Sequence, residues 1–235
     1  MSNIEKDNYF TLRNVDKQYY ENFRLPKTLI ENLPSDKNAR ILDIGCGFGQ
    51  VLQQLVKLGY KNAKGVDISK EAVIFCKQNK LSVELITDIM EYYIEGRYEF
   101  IIMNHVLEHV EKHKIIPTLK YIRENLLNDD GSLYLAVPNA QSNTGAYWYF
   151  EDFTHNYLFT SGSLIYVLKA AGFNDIRFLD SYHFHETNLI KMIIKKFFLS
   201  LYVVNKKFWN KVTSSAYHKP SPVFYSYELI CLCKK

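Results

Sequence analysis

Ala39-Arg40-Ile41-Leu42-Asp43-Ile44-Gly45-Cys46-Gly47-Phe48-Gly49 decides the fold. An apolar run this short, closed by an acid and then by alternating glycines, predicts a central parallel strand buried on both faces and turning sharply into a helix. The helix is predicted from about Gly49 to Leu58. The alternation then repeats: strand Ala63–Asp67, helix Lys70–Asn79, strands Ser82–Thr87 and Tyr98–Asn104, helix Lys112–Leu127, strand Ser132–Val137. Strands separated by helices imply right-handed crossovers and a doubly wound α/β sheet, which binds ligands outside the carboxyl ends of its strands.

The flanks are less regular. Residues 1–38 form an N-terminal segment in which Tyr19–Leu33 reads as a helix broken at Pro26. After the core, Thr160–Ala171 reads as a helix capped by Thr160 or Ser161 and closed by Gly172. Ile176–Phe184 and Val223–Cys233 read as strands on either side of an apolar, lysine-rich insert, residues 187–219.

Composition bounds the function. With 235 residues and 47% apolar content, the chain suits one domain with a substantial core. A net charge of +4 is too small to make nucleic acid the expected partner. No apolar run is long enough to span a bilayer, and the polar N-terminus does not read as a signal peptide, so a cytoplasmic location is expected. Cys46, Cys76, Cys231 and Cys233 form no CxxC pair and lie in apolar or glycine-rich runs, which predicts reduced, buried thiols.

The glycine loop is of the nucleotide-binding kind. Counted from Gly45, the sixth position of a GxGxxG fingerprint is Gln50, and no GKS or GKT follows, so neither a pyrophosphate site nor a P-loop is indicated. What remains is DxGxGxG with further acids, Asp67 and Asp88, closing the next two strands. Asp67 is placed to accept hydrogen bonds from a ribose diol. Three carboxylates around one cleft suit a ligand that carries positive charge and no phosphate.

These residues resemble class I S-adenosylmethionine-dependent methyltransferases. The resemblance runs from about Arg40 to Phe173 and rests on LDIGCGFG, GVDIS, ITDI and FIIMNHVLEHV. It implies a Rossmann-like seven-stranded sheet with an antiparallel last strand, for which Val223–Cys233 is placed. It also implies S-adenosyl-L-methionine as cofactor, with S-adenosyl-L-homocysteine as product. The implied binding set is Asp43, Gly45, Cys46, Gly47, Gly49, Asp67, Ile68, Asp88, Ile89 and Asn104. In it the Gly45–Gly49 backbone lies against the methionyl part and Asp67 holds the ribose. Asp88 approaches the adenine amino group, Ile68 and Ile89 flank the ring, and Asn104 faces the methionyl amino group.

His105-Val106-Leu107-Glu108-His109 spells HxxEH, a zinc-peptidase spacing that needs a helix to bring both imidazoles onto one face. Here the motif follows directly from an apolar strand with room for at most one helical turn, so no metal is expected.

Transfer to an alcohol requires alignment of the acceptor and removal of its proton. His155, in the loop before helix Thr160–Ala171, is the candidate base, and Asp152 the candidate residue to orient it. The DxxHxxxFT pattern resembles bacterial methyltransferases associated with capsule or lipopolysaccharide assembly, which implies a sugar or glycan-related acceptor. The rings of Tyr147, Trp148, Tyr149, Phe150, Phe153 and Tyr157 are expected mainly to pack as core or lid, and His183 and His185 are further pocket candidates. The alternatives are methylation of a quinone or other lipid-soluble phenol, or a non-catalytic cofactor-binding subunit of a glycan assembly complex.

The insert holds seven lysines and no acid. It is expected to cover the pocket mouth as a cap, with peripheral membrane contact as the competing reading. Without those lysines the chain has 22 basic residues against 25 acidic, so the whole basic excess belongs to the insert.

Overall fold

The structure is a computed structural model and describes residues 7–15, 23–94, 96–180, 182 and 188–235. Seven strands form one sheet: β1 (Ile41–Ile44), β2 (Ala63–Asp67), β3 (Val83–Leu85), β4 (Tyr98–Asn104), β5 (Leu127–Pro138), β6 (Asp175–Phe178) and β7 (Glu228–Lys234). Their order is β3-β2-β1-β4-β5-β7-β6. β1 to β5 pair in parallel, while β7 runs antiparallel to both β5 and β6. The Rossmann-like sheet with an antiparallel last strand is therefore present.

All four residues of β1 are buried. Its alternating side chains feed two cores, Leu42 and Ile44 on one face and Ile41 on the other. Each such aliphatic side chain contributes about 1.5–3 kcal/mol by leaving water, which is why ILDI is a central strand. The chain leaves β1 towards β2 on one side and takes up β4 on the other, so the switch point lies between β1 and β4. A doubly wound sheet takes its ligands at such a point, outside the carboxyl ends of the strands.

The helices are α1 (Tyr9–Leu12), α2 (Lys27–Ile30), α3 (Gln50–Lys57), α4 (Lys70–Gln78), α5 (Ile115–Tyr121), α6 (Gly145–Glu151), α7 (Ser161–Ala170) and α8 (Leu189–Val212). Thr160 caps α7 in a reciprocal capping box with Ser163. Helix α5 starts later than its periodicity suggested, at Ile115. Pro117 then falls in its first turn, where a missing N–H costs nothing, and a π turn over Ile122–Leu126 completes it.

Other expectations shift as well: β3 is shorter than Ser82–Thr87, and β5 starts at Leu127 rather than Ser132. Pro26 is the N-cap of α2 rather than a break within a longer helix, and residues 16–22 of that expected helix lie outside the described residues. The final strand starts at Glu228, not Val223, because the Asn139 amide takes the carbonyls of Phe224 and Ser226 at 2.9 Å each. The sixth strand is the short β6, and half of the rest of its expected span, 181 and 183–184, is outside the described residues.

Candidate active site

Gly45, Gly47 and Gly49 all adopt positive φ, at 69°, 52° and 78°, the left-handed region that glycine enters without penalty. The Gly45 and Cys46 amides donate to the Val66 carbonyl at 2.8 and 3.2 Å, which folds the loop across the end of β2. A Cβ on Gly45 would collide with the Val106 side chain, so the loop after β1 and the loop after β4 close on one another here. Cys46 turns its thiol inward, where it and the Cys76 thiol both donate to the Gly47 carbonyl. Its contribution to a ligand is therefore limited to its backbone. All four cysteines are free and buried.

The acids behave differently from one another. Asp67 is 7% exposed and accepts from the Gly47 amide through one oxygen and the Ser69 amide through the other, both at 2.8 Å. Burial pushes its pKa up, against the pull of those amides. Asp43 is 2% exposed, and its Oδ2 has no partner among the described residues. Burial, with the Asp67 charge second, pushes its pKa up to about 8. Asp88 caps a 3-10 turn, Ile89–Glu91, by accepting from the Met90 amide at 2.9 Å. Ile68 is open to solvent, whereas Ile89 is in the core beneath the crevice. Asn104 ends β4 with a buried Oδ1 that has no partner among the described residues.

HxxEH does not form the pair its spacing suggests. His105 sits at φ 52°, a rare backbone for a non-glycine residue, and its ring lies between Glu108 (3.4 Å) and Glu228 on β7 (3.2 Å). Burial alone would lower its pKa, but the two carboxylates push it up to about 10. His109 instead faces the loop that carries His155. Its Nδ1 lies 2.7 Å from the Thr154 hydroxyl, and its ring meets that of His155 edge-on at 4.7 Å. Burial lowers the His109 pKa.

Glu108, His109 and His155 thus converge, each with a ligand atom within 4.8 Å of the others. The Glu108 side chain is fully buried and neither oxygen is hydrogen-bonded among the described residues. The sequence-based argument against a metal concerned His105 and His109, which the structure separates. The triad that does assemble is a donor set able to take a divalent ion or to handle protons.

His155 is 6% exposed and its Nδ1 lies 2.7 Å from the Trp148 carbonyl. A carbonyl only accepts, so Nδ1 donates to it, and Nε2 is the nitrogen that faces Asp152 Oδ2. The orienting partner is that carbonyl, with Asp152 further off at 3.7 Å. Asp152 is buried and accepts from Tyr9 (2.6 Å) and from the Thr154 amide and hydroxyl (3.0 and 2.6 Å), and it pairs with Arg13 (2.8 Å). Burial opposes its ionisation, yet the Thr154 and Tyr9 hydrogen bonds hold its pKa down to about 2.

Tyr9 and Arg13 had no motif to announce them. Helix α1 is pinned by Glu71, which accepts from the first-turn amides of Phe10 (2.7 Å) and Thr11 (3.1 Å). That places Phe10 on Phe48 (ring centroids 4.4 Å apart) and beside Gly47. The N-terminal helix therefore bridges the glycine loop and the His155 loop.

Of the aromatic residues after β5, Tyr157 packs against the core and Trp148 is half-buried, but the others are open to solvent. Tyr147, Tyr149, Phe150 and Phe153 are exposed, Phe153 by 98%. Tyr149, Phe150 and Tyr157 line a shallow groove beside Asn156. His183 and His185 lie outside the described residues. Within the insert lies one 24-residue helix, α8 (Leu189–Val212), with no buried residue.

S-adenosylmethionine fits this constellation. Asp43 Oδ2 and Asn104 Oδ1 are buried acceptors with no donor among the described residues, matching a cationic ligand with an ammonium group.

The comparisons agree with this geometry. The chain is 24% identical over 122 residues to the yeast (Saccharomyces cerevisiae) mitochondrial ubiquinone biosynthesis O-methyltransferase, covering 49% of this chain and 38% of that protein. It is 34% identical over 135 residues to (S)-coclaurine N-methyltransferase of Papaver somniferum, covering 53% and 37%. The matches thus span less than half the length of these two relatives. Among solved structures, Haemonchus contortus phosphoethanolamine N-methyltransferase 2, in complex with S-adenosyl-L-methionine, shares the fold. Its TM-score is 0.64 at 17% identity, over 99% of this chain and 59% of that one. Residues 17–177 match the family model described as a methyltransferase domain. With glycine loop, strand-end acids and strand order all in place, the chain belongs to the methyltransferase-domain family.

Proposed function

We propose that the chain is an S-adenosylmethionine-dependent O-methyltransferase that transfers a methyl group to a hydroxyl of a sugar or glycan-related small molecule. The donor occupies the crevice lined by Asp43, Gly45, Gly47, Gly49, Asp67, Asp88 and Asn104. When bound it supplies an electrophilic methyl on a sulfonium. The acceptor enters from the side of the loop after β5. The observation that carries the reading is the His155 imidazole: its Nδ1 proton is committed to the Trp148 carbonyl, which leaves Nε2 as a lone-pair base at the strand ends. A hydroxyl acceptor needs such a base, because an alcohol is a poor nucleophile until its proton departs.

Two observations favour a second acceptor, a phenolic hydroxyl on a lipid-soluble quinone precursor: the similarity to a ubiquinone O-methyltransferase and the exposed apolar helix α8. A small molecule is proposed in both cases rather than nucleic acid. A screen of nucleotide sugars, catechol-type prenylated phenols and RNA, read by S-adenosylhomocysteine release, tests the assignment. Turnover of sugars alone supports the first reading, turnover of phenols alone the second, and turnover of RNA alone removes both. Donor binding without turnover on any acceptor would make the chain a non-catalytic cofactor-binding subunit. Dialysis against EDTA tests the base. Turnover that survives it keeps His155 as the base, and turnover restored by one divalent ion per chain makes His155 a ligand instead.

A further inference from the structure

Helix α8 is about 36 Å long at 1.5 Å per residue, and it hardly belongs to the packed body. Its half-buried residues, Met192, Leu199, Tyr202, Val203 and Lys206, share one face and rest against the domain. Ile190, Ile193, Phe197, Leu201, Val204 and Phe208 recur at three- and four-residue steps on the opposite face, each between 51 and 69% exposed. A helix normally turns such a stripe towards a core. This one turns it to solvent.

The charges beside the stripe all have one sign. Lys196, Lys207 and Lys211 border one side of it and Lys191 the other, and residues 187–219 contain no acid. A second copy of this chain, packed stripe to stripe, would set lysine against lysine with no carboxylate from the helix to relieve them. A surface that accepts apolar side chains at its centre and lysines at its border is an anionic bilayer, which takes up the apolar face of a helix while the ammonium groups reach the headgroups. Insertion across the bilayer is not involved, since no helix among the described residues is long and apolar enough to span it.

We propose that α8 docks this protein onto the surface of an anionic phospholipid membrane, with the Ile190–Phe208 stripe in the acyl–headgroup boundary. The helix is coupled to the acceptor side. The Tyr202 hydroxyl donates to Asn143 Oδ1 at 2.6 Å, and its ring meets Tyr225 edge-on at 5.3 Å. Asn143 lies just before α6, whose loop carries the exposed rings of Phe150 and Phe153. Docking through α8 therefore brings the acceptor loop close to the membrane surface.

Cosedimentation of the full chain with vesicles tests this, using phosphatidylcholine alone and phosphatidylcholine with phosphatidylglycerol, each at low and high salt. The expected result is binding to the anionic vesicles that high salt weakens at least tenfold, with little binding to the neutral ones. F197E/F208E should lose that binding at least tenfold at unchanged melting temperature, since both side chains point away from the body. K196E/K207E/K211E should lose the preference for anionic lipid. Absence of binding, or binding that ignores lipid charge, would overturn the proposal. So would a wild-type dimer in solution that F197E/F208E converts to monomer without any vesicle binding. No methyl donor or acceptor enters the assay, so its failure leaves the proposed reaction standing, and failure of the acceptor screen leaves the docking standing.

Discussion

The phenol of Tyr9 donates to the carboxylate of Asp152 at 2.6 Å across 143 positions of sequence. With Arg13 on the same oxygen at 2.8 Å, it ties the N-terminal helix to the loop that carries His155. Because the folded carboxyl lies at about 2, below its ordinary 3.8, its contribution to stability is present above pH ~4 and is lost as pH falls through about 2. Tyr9→Phe removes a hydrogen bond to a charged group, worth about 1.5–3 kcal/mol. Acid unfolding followed by circular dichroism should begin at higher pH in Y9F and in R13A than in the parent chain.

His155→Ala should cut turnover by about 10²–10⁴-fold, the usual contribution of a positioned base. Donor affinity should change little, because His155 lies on the acceptor loop and not among the glycines. Single-turnover kinetics beside calorimetric titration of the donor separate the two quantities. An equal loss in both would make His155 a structural residue.

Asp43 offers a pH dependence of a different kind. Burial, with Asp67 next in effect, places its carboxyl at about 8 when no cation is near. A sulfonium donor with an ammonium group favours the ionised carboxylate, so donor affinity should rise as pH is raised through about 8, with proton uptake by buffer on binding. Asp43→Asn should flatten that dependence and weaken binding. Titrations in buffers of different ionisation enthalpy count the released proton.

His105 links the β4 loop to the last strand through Glu108 and Glu228. Its folded pKa of about 10 lies above the ordinary 6.5, so its stabilising contribution is complete below pH 6.5 and disappears as pH rises through about 10. The side chain is 43% exposed, and solvent screening keeps the effect modest. Thermal melts at pH 7 and pH 10.5 should show a larger drop for the parent chain than for His105→Gln.

The donor half of the crevice was legible because every part of it is local. ILDI is buried on both faces, GCGFG must turn at positive φ, Asp67 closes β2 and Asp88 follows three residues after β3, so strand order alone gathers them at one edge. The surroundings of His155 were legible only in part. His155 could be picked from its loop, but Asp152 was assigned to it from a three-residue spacing, and the structure gives that carboxylate mainly to Tyr9, Arg13 and Thr154. HxxEH forms no pair for a related reason: the left-handed turn at His105 sends the two imidazoles to different partners, and no spacing rule reports a backbone turn.

By itself the sequence determined the sheet, the glycine loop and the acids around it, since buried-strand patterning and glycine geometry act over a few residues. It also placed the basic excess in one insert. The tertiary structure alone decided that Glu108, His109 and His155 converge, that the N-terminal helix reaches Asp152, and that α8 turns its apolar stripe outward. Each of these depends on how separate elements meet in space, and contact energies between distant segments leave no periodicity for the sequence to show.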